Sequence, residues 1–198
     1  MNQGEVMEVL RTYGVLQHGH FKLSSGRHSD TYLQCARVLQ YPHLAESFGQ
    51  AIANRYRSEG AEESPIDVVV SPAVGGIVLG FAVALEMGCR MVFSERESGR
   101  MTLRRGFEIY PAERALVVED VVTTGGSLAE VVDLVRSAGA EVVGVASLVD
   151  RTSGTEVPFS LQSLAVVQAK SWDPSECALC RSGEPVHSPG SRRLSGSG

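Results

Sequence analysis

Apolar positions recur along the chain at two spacings, and the two alternate in order. Between Gly4 and Tyr13, Val6, Val9, Leu10 and Tyr13 share one side at helical spacing, which predicts a short amphipathic helix. The stretch FKLSSGRHSDTYLQC, starting at Phe21, alternates apolar and polar residues about a Ser-Ser-Gly turn and predicts a hairpin. Leu44, Phe48, Ile52 and Tyr56 are spaced by four and predict a helix from Pro42 to Glu59. After the polar break EGAEESP, Ile66 to Val70 is apolar without alternation, as in a strand covered on both faces. The pattern then repeats as strand, glycine turn, helix. Ile77 to Met87 predicts a helix closed by Gly88, and Arg90 to Ser94 and Ala115 to Asp120 predict strands. Ser127 to Ala138 predicts a helix with Ser127 as N-cap and Gly139 as its stop. Val142 to Val149 is a further apolar strand, and Ser163 to Val167 a short last one.

Strands alternating with helices predict an α/β fold, a doubly wound and mostly parallel sheet. Ligands in such sheets bind beyond the carboxyl ends of the strands. Four loops therefore stand out: PAVGG, the segment after Ser94, VVTTGGS and DRTSG. The 198 residues suit one domain, with a Pro-, Ser- and Gly-rich segment, 173–198, expected to be irregular.

Composition narrows the function classes. With 43% hydrophobic and 21% charged residues the chain reads as an ordinary soluble globular protein. A net charge of -5 argues against nucleic-acid binding by counterion release. No apolar run approaches the ~18 residues of a membrane span, and MNQGEVMEVL lacks the pattern of a signal peptide. Four cysteines are too few for a disulfide framework, so the cytoplasm is the expected compartment. Lys22 and Lys170 are the only lysines; arginine carries nearly all the positive charge.

Candidate chemistry concentrates in VVEDVVTTGGS, residues 117–127. At a strand-to-helix turn, backbone N–H groups and the helix dipole favour an anion. Gly125 and Gly126 allow close approach and positive φ, and Thr123, Thr124 and Ser127 add hydroxyl donors. Neither a Walker loop nor a G-x-G-x-x-G turn occurs in the chain, and a plain capped turn would also explain the glycines. Glu119 and Asp120 shift that balance, because carboxylates closing an apolar strand are costly unless partnered. Salt bridges could partner them. So could ribose hydroxyls or a hydrated Mg²⁺ bridging ligand oxygens, and a sugar phosphate satisfies acids and cradle together.

The apolar run, the two acids and VVTTGGS resemble the phosphoribosyl pyrophosphate signature of type I phosphoribosyltransferases. Together with FKLSSGRHSDTYL, SPAVGGIVLGFAVA, MTLRRGFEI and SLVDR, they resemble the orotate phosphoribosyltransferase family over about residues 21–192. The likeness includes a bacterial branch that also carries CALC and PGSR. It implies a small N-terminal hood over residues 1–40, and transfer of ribose 5-phosphate to a ring nitrogen of orotate in pyrimidine (UMP) synthesis. It further implies Mg²⁺ held mainly through phosphoribosyl pyrophosphate, no metal ligands of the protein's own, and a homodimer.

Site roles follow from the same resemblance. Glu119 and Asp120 would grip the ribose hydroxyls, and residues 121–127 (Val121, Val122, Thr123, Thr124, Gly125, Gly126, Ser127) would cradle the 5-phosphate. Ser71, Pro72, Ala73, Val74, Gly75 and Gly76 would form the pyrophosphate loop, in the family often through a strained or cis peptide. Arg151 would pair with the orotate carboxylate, although alone it reads as a surface arginine after a strand. Ser24 and Arg27 would close over the base. ERESGRMTLRRGF, residues 95–107, takes the place of a mobile catalytic loop, with Arg96 and Arg100 standing where the family has lysines and a histidine; the bland alternative is a solvated, charged hairpin. Purine transfer and a regulator that senses phosphoribosyl pyrophosphate are the competing readings.

Cys177 and Cys180 form a C-x-x-C with His187 downstream, but a zinc site needs a fourth ligand and no second C-x-x-C exists. Plain reduced thiols are the expected state, and Cys35 and Cys89 are expected in the core.

Overall fold

The computed structural model describes residues 1–23, 25–57 and 66–189. Helix α1 (Gln3–Thr12) opens on a capping box in which the Asn2 side chain accepts from the Glu5 amide. Strands β1 (Leu16–Lys22) and β2 (His28–Leu33) form the expected antiparallel hairpin. A four-residue helix α2 (Ala36–Leu39) precedes α3 (Pro42–Tyr56). The central unit comprises β3 (Val68–Pro72), α4 (Gly76–Met87), β4 (Arg90–Glu97), β5 (Arg100–Leu103), β6 (Arg114–Val122), α5 (Gly126–Ser137), β7 (Glu141–Asp150) and β8 (Leu161–Val166). The chain then forms β9 (Ser171–Trp172), a 3-10 turn (Pro174–Glu176) and α6 (Ala178–Arg181).

Six strands form one sheet in the order β5-β4-β3-β6-β7-β8. Every pairing in it is parallel except β4 with β5, so the doubly wound expectation holds and the exception is a hairpin at one edge. Val68, Val69 and Val70 are fully buried, as are Ala115 to Val118, because helices cover both faces of the sheet. Phe48, Ile52, Leu79 and Leu116 fill one side; Val117, Leu128, Val131 and Val135 fill the other.

Three expectations change. Ser127 is not the N-cap of α5; Gly125 is, in a left-handed conformation with φ 74°, so Ser127 lies inside the first turn. Strand β6 does not stop at Asp120 but runs to Val122, because Val121 and Val122 continue the ladder with Val149 and Asp150 of β7. The segment after Trp172 is irregular only in part. It holds the 3-10 turn and α6, and its backbone pairs at His187 with His20 and Lys22.

A second sheet has the order β1-β2-β9 and shares no strand with the six-stranded one. One of its strands thus comes from the C-terminal part of the chain, which ties that part to the N-terminal hairpin. Among the described residues no helix is long and apolar enough to cross a membrane.

Candidate active site

The carboxyl ends of β3, β6 and β7 deliver three of the anticipated loops to one side of the sheet. From β3 the chain enters Ser71 to Gly76, where the peptide bond between Ala73 and Val74 is cis. Ser71 and Pro72 are buried strand residues, while Val74 and Gly75 are exposed. The loop lies directly on the acid pair of β6. A Cβ added to Gly75 would stand 2.6 Å from Asp120 Oδ1, and one added to Gly76 would stand 3.1 Å from Glu119 Oε1. Side chains at these positions would need the carboxylates to move, so the glycines permit the close approach. Gly75 and Gly76, far from Glu119 and Asp120 in sequence, therefore lie directly beside them.

Glu119 and Asp120 have none of the salt bridges among the described residues. Asp120 Oδ1 accepts a local hydrogen bond from the Val121 amide at 3.0 Å, and Glu119 Oε1 a long one from the Asp120 amide at 3.3 Å. Burial pushes the Glu119 carboxyl well above the usual carboxylate range, and repulsion from Asp120 adds to it. Burial also raises Asp120, against the pull of its hydrogen bonds to Glu119 and the Val121 amide. The structural-salt-bridge reading thus has no partner among the described residues. The pair is a site of frustrated negative charge, which hydroxyl donors or a cation would relieve.

Beyond Val122, Thr123 and Thr124 are exposed and Gly125 is buried. A Cβ on Gly125 would meet Val157 Cγ1 at 2.7 Å, in addition to the positive φ, so only glycine fits the turn. No side chain caps α5, leaving the exposed first turn at Gly126 and Ser127 open to an anion.

Arg151 follows β7 and is not a surface residue: it is 8% exposed. Its main-chain N–H donates to Val122 O at 2.8 Å, which holds it beside the cradle. Its Nη2 donates to Ser29 Oγ at 2.5 Å and to Thr31 O at 2.9 Å, both on β2. Its Nε is buried without a hydrogen-bond partner among the described residues. Burial depresses the guanidinium's pKa, with Asp30 acting in the opposite sense.

The remaining anticipated residues stand differently. Arg27 donates to Asp173 Oδ2 at 2.9 Å and to Ser171 O at 3.1 Å. Ser24 lies outside the described residues. The arginine-rich segment is the edge hairpin of β4 and β5 in this conformation, with Arg96, Arg104 and Arg105 partnered. Arg96 forks onto Glu130 of α5 at 2.8 and 3.1 Å, Arg105 pairs with Glu95 and Arg104 with Glu97. Arg100 is exposed near the hairpin tip.

Tyr32 was not anticipated. This half-buried residue of β2 is close enough to the acid pair for Asp120 to raise its phenol pKa, secondary to burial. Its only signal in sequence was alternation, which puts it on the face opposite the buried Ser29 and Thr31.

Comparison with known proteins identifies the family. Residues 35–175 match the family model for the phosphoribosyl transferase domain. Over 197 residues the chain is 50% identical to an orotate phosphoribosyltransferase of Caldanaerobacter subterraneus subsp. tengcongensis, covering 98% of this chain and 100% of that protein. The crystal structure of orotate phosphoribosyltransferase from Aeropyrum pernix superposes with a TM-score of 0.66 at 26% identity, covering 82% of this chain and 93% of that one. An adenine phosphoribosyltransferase from Trypanosoma brucei reaches a TM-score of 0.60 at 18% identity, over 80% of this chain and 79% of that one, a likeness of fold alone. The fold is thus common to transferases of different bases, and the sequence identity is what separates them: the chain belongs to the phosphoribosyl transferase family, in its orotate phosphoribosyltransferase branch.

Proposed function

We propose that the cleft between the 71–76 loop and the β6–α5 turn binds phosphoribosyl pyrophosphate, and that orotate enters beside Arg151. The observation that carries this is the close approach of Gly75 and Gly76 to two half-buried acids that have no salt-bridge partner among the described residues. Ribose 2- and 3-hydroxyls donating to Glu119 and Asp120 would supply what the pair lacks. The amides and hydroxyls of residues 123–127 would take the 5-phosphate, and the 71–76 backbone the pyrophosphate. The transition state carries positive charge on the ribose, which the acid pair favours, and negative charge on the leaving group.

Hard carboxylate oxygens on the cleft floor suit Mg²⁺, directly or through water, with the donor's own oxygens as its main ligands. When bound, the ion would neutralise charge on the departing pyrophosphate. Arg100 at the hairpin tip would add to that neutralisation, and Arg96 would do so once it leaves Glu130. Ser24 and Arg27 would border the base. Deprotonated orotate is already nucleophilic, so no strong general base is needed.

Calorimetry tests the reading. Phosphoribosyl pyrophosphate is expected to bind with Mg²⁺ present and to weaken at least about tenfold with chelator. Binding that ignores both Mg²⁺ and Glu119→Gln sinks the assignment of the cleft.

We also propose that the protein is a cytoplasmic homodimer. None of Cys35, Cys89, Cys177 and Cys180 is in a disulfide, which suits the compartment. Along one side of α4 and its entry loop, Val74, Val78, Phe81 and Leu85 are 81%, 45%, 62% and 64% exposed. Phe93 and Phe107 line the adjoining groove. An apolar strip of this kind suits a second copy of the chain. Phe81→Asp is expected to raise the dimer dissociation constant by about 100-fold, since a buried charge there finds no partner. Light scattering would then report a mass near one chain, 21.2 kDa. An unchanged dimer would exclude this face.

A further inference from the structure

Four side chains outside the cleft converge where the three-stranded sheet meets the C-terminal segment. His20 comes from β1, His28 from β2, and Cys177 and Cys180 from the start and third residue of the α6 turn. One ligand atom of each lies within 4.8 Å of all the others. His20 Nε2 is 2.9 Å from His28 Nδ1, 3.4 Å from Cys177 Sγ and 3.7 Å from Cys180 Sγ. Cys180 Sγ is 3.2 Å from His28 Nδ1. His20 and Cys177 are fully buried.

Hydrogen bonding alone does not account for this arrangement. His20 Nδ1 lies 2.7 Å from Glu184 O, a carbonyl that can only accept, so Nδ1 carries the proton and Nε2 of the neutral ring has one lone pair. Three potential donors crowd that single lone pair. A cation among the four groups would be met by all of them at once. Tetrahedral zinc with bonds of about 2.0–2.1 Å to nitrogen and about 2.3 Å to sulfur has ligand-to-ligand edges of about 3.3–3.8 Å. The 3.4 and 3.7 Å separations match those edges, and the 2.9 and 3.2 Å separations fall slightly short of them. The Glu184 contact is the outer hydrogen bond that metal-bound histidines make to fix their tautomer.

We propose that His20, His28, Cys177 and Cys180 form a structural zinc site that staples the C-terminal segment to the N-terminal hairpin. Two nitrogens and two sulfurs in a tetrahedron favour zinc over magnesium or calcium, which take oxygen. Four protein ligands leave no open position, so the site is structural and not catalytic. His187, the histidine that the cysteine spacing suggested, is not in the cluster; it pairs through its backbone with His20 and Lys22. The staple also reaches the cleft. Ser29, next after His28 on β2, and Thr31, further along the same strand, hold the Arg151 guanidinium.

The test uses the full chain, purified under reducing conditions and dialysed against Zn²⁺ or Co²⁺. One zinc per chain is expected by elemental analysis. The cobalt form should show the intense visible bands of tetrahedral Co²⁺ with thiolate charge transfer in the near ultraviolet. Cys180 is exposed, so Cys180→Ser keeps the fold by circular dichroism while weakening Zn²⁺ binding at least about 100-fold. His28→Ala weakens it to a similar degree. A strong chelator lowers the thermal midpoint of the wild-type chain but not that of Cys180→Ser. Substoichiometric zinc after dialysis, a pale octahedral cobalt spectrum, or wild-type affinity in Cys180→Ser would each overturn the assignment.

Discussion

Asp120→Asn is expected to cut kcat/KM by about 10²–10³-fold while the fold survives. The carboxylate is proposed to share the positive charge that develops on the ribose. Its amide keeps the shape and loses the charge, so the loss falls on the transition state. The same change bears on stability with the opposite sign. Burial and repulsion hold the Glu119 carboxyl well above its usual range in the folded chain. A carboxyl whose folded pKa is raised contributes stability below its unfolded value, near pH 4, and that contribution is lost as pH rises through the folded value. Asp120→Asn removes the repulsive part of the shift. The ligand-free variant is therefore expected to melt higher than the wild type near neutral pH, and the gap to close toward about pH 4. A variant that is less active and also less stable at neutral pH would point to a merely structural carboxylate. Near-normal turnover would remove Asp120 from the chemistry.

That opposition between activity and stability is the reason the acid pair could be read from sequence. Two carboxylates at the end of VVED break the rule that buried strands avoid unpaired charge, and functional sites are where such rules are broken. The central sheet was legible for a related reason. Val68–Val70 and Ala115–Val118 are runs without alternation because helices cover both faces, and the intervening glycines mark the turns. What escaped was set by distant partners. Strand β5 exists because Arg100 to Leu103 folds back on Glu97 to Ser94, and β9 because Ser171 and Trp172 find β2. Both are too short to carry a period of their own. The partners of Cys177 were hidden in the same way, since His20 lies 157 positions away in sequence. A C-x-x-C declares half a metal site, and only the fold supplies the other half.

Arg151 shows the same limit at the cleft and carries the second large effect. After SLVDR a lone arginine looks solvent-exposed, yet Ser29, 122 positions earlier, comes to meet it and buries it. With Nη2 committed to Ser29 and Thr31, the buried Nε remains as a donor without an acceptor among the described residues. An unpaired buried donor on a charged group costs about 1–3 kcal/mol, which a bound carboxylate would return. Arg151→Ala is accordingly expected to raise the KM for orotate about 100-fold, and that for phosphoribosyl pyrophosphate by no more than about threefold. Arg151→Lys retains a charge but not the planar fork, and about a tenfold rise for orotate is expected. The alanine variant also loses its contacts to β2, so unfolding should become easier by about 1–3 kcal/mol. Steady-state kinetics with each substrate varied in turn separates these outcomes. Equal rises in the two KM values would mean that Arg151 only holds β2 in place, and the orotate carboxylate would have to be sought elsewhere in the cleft.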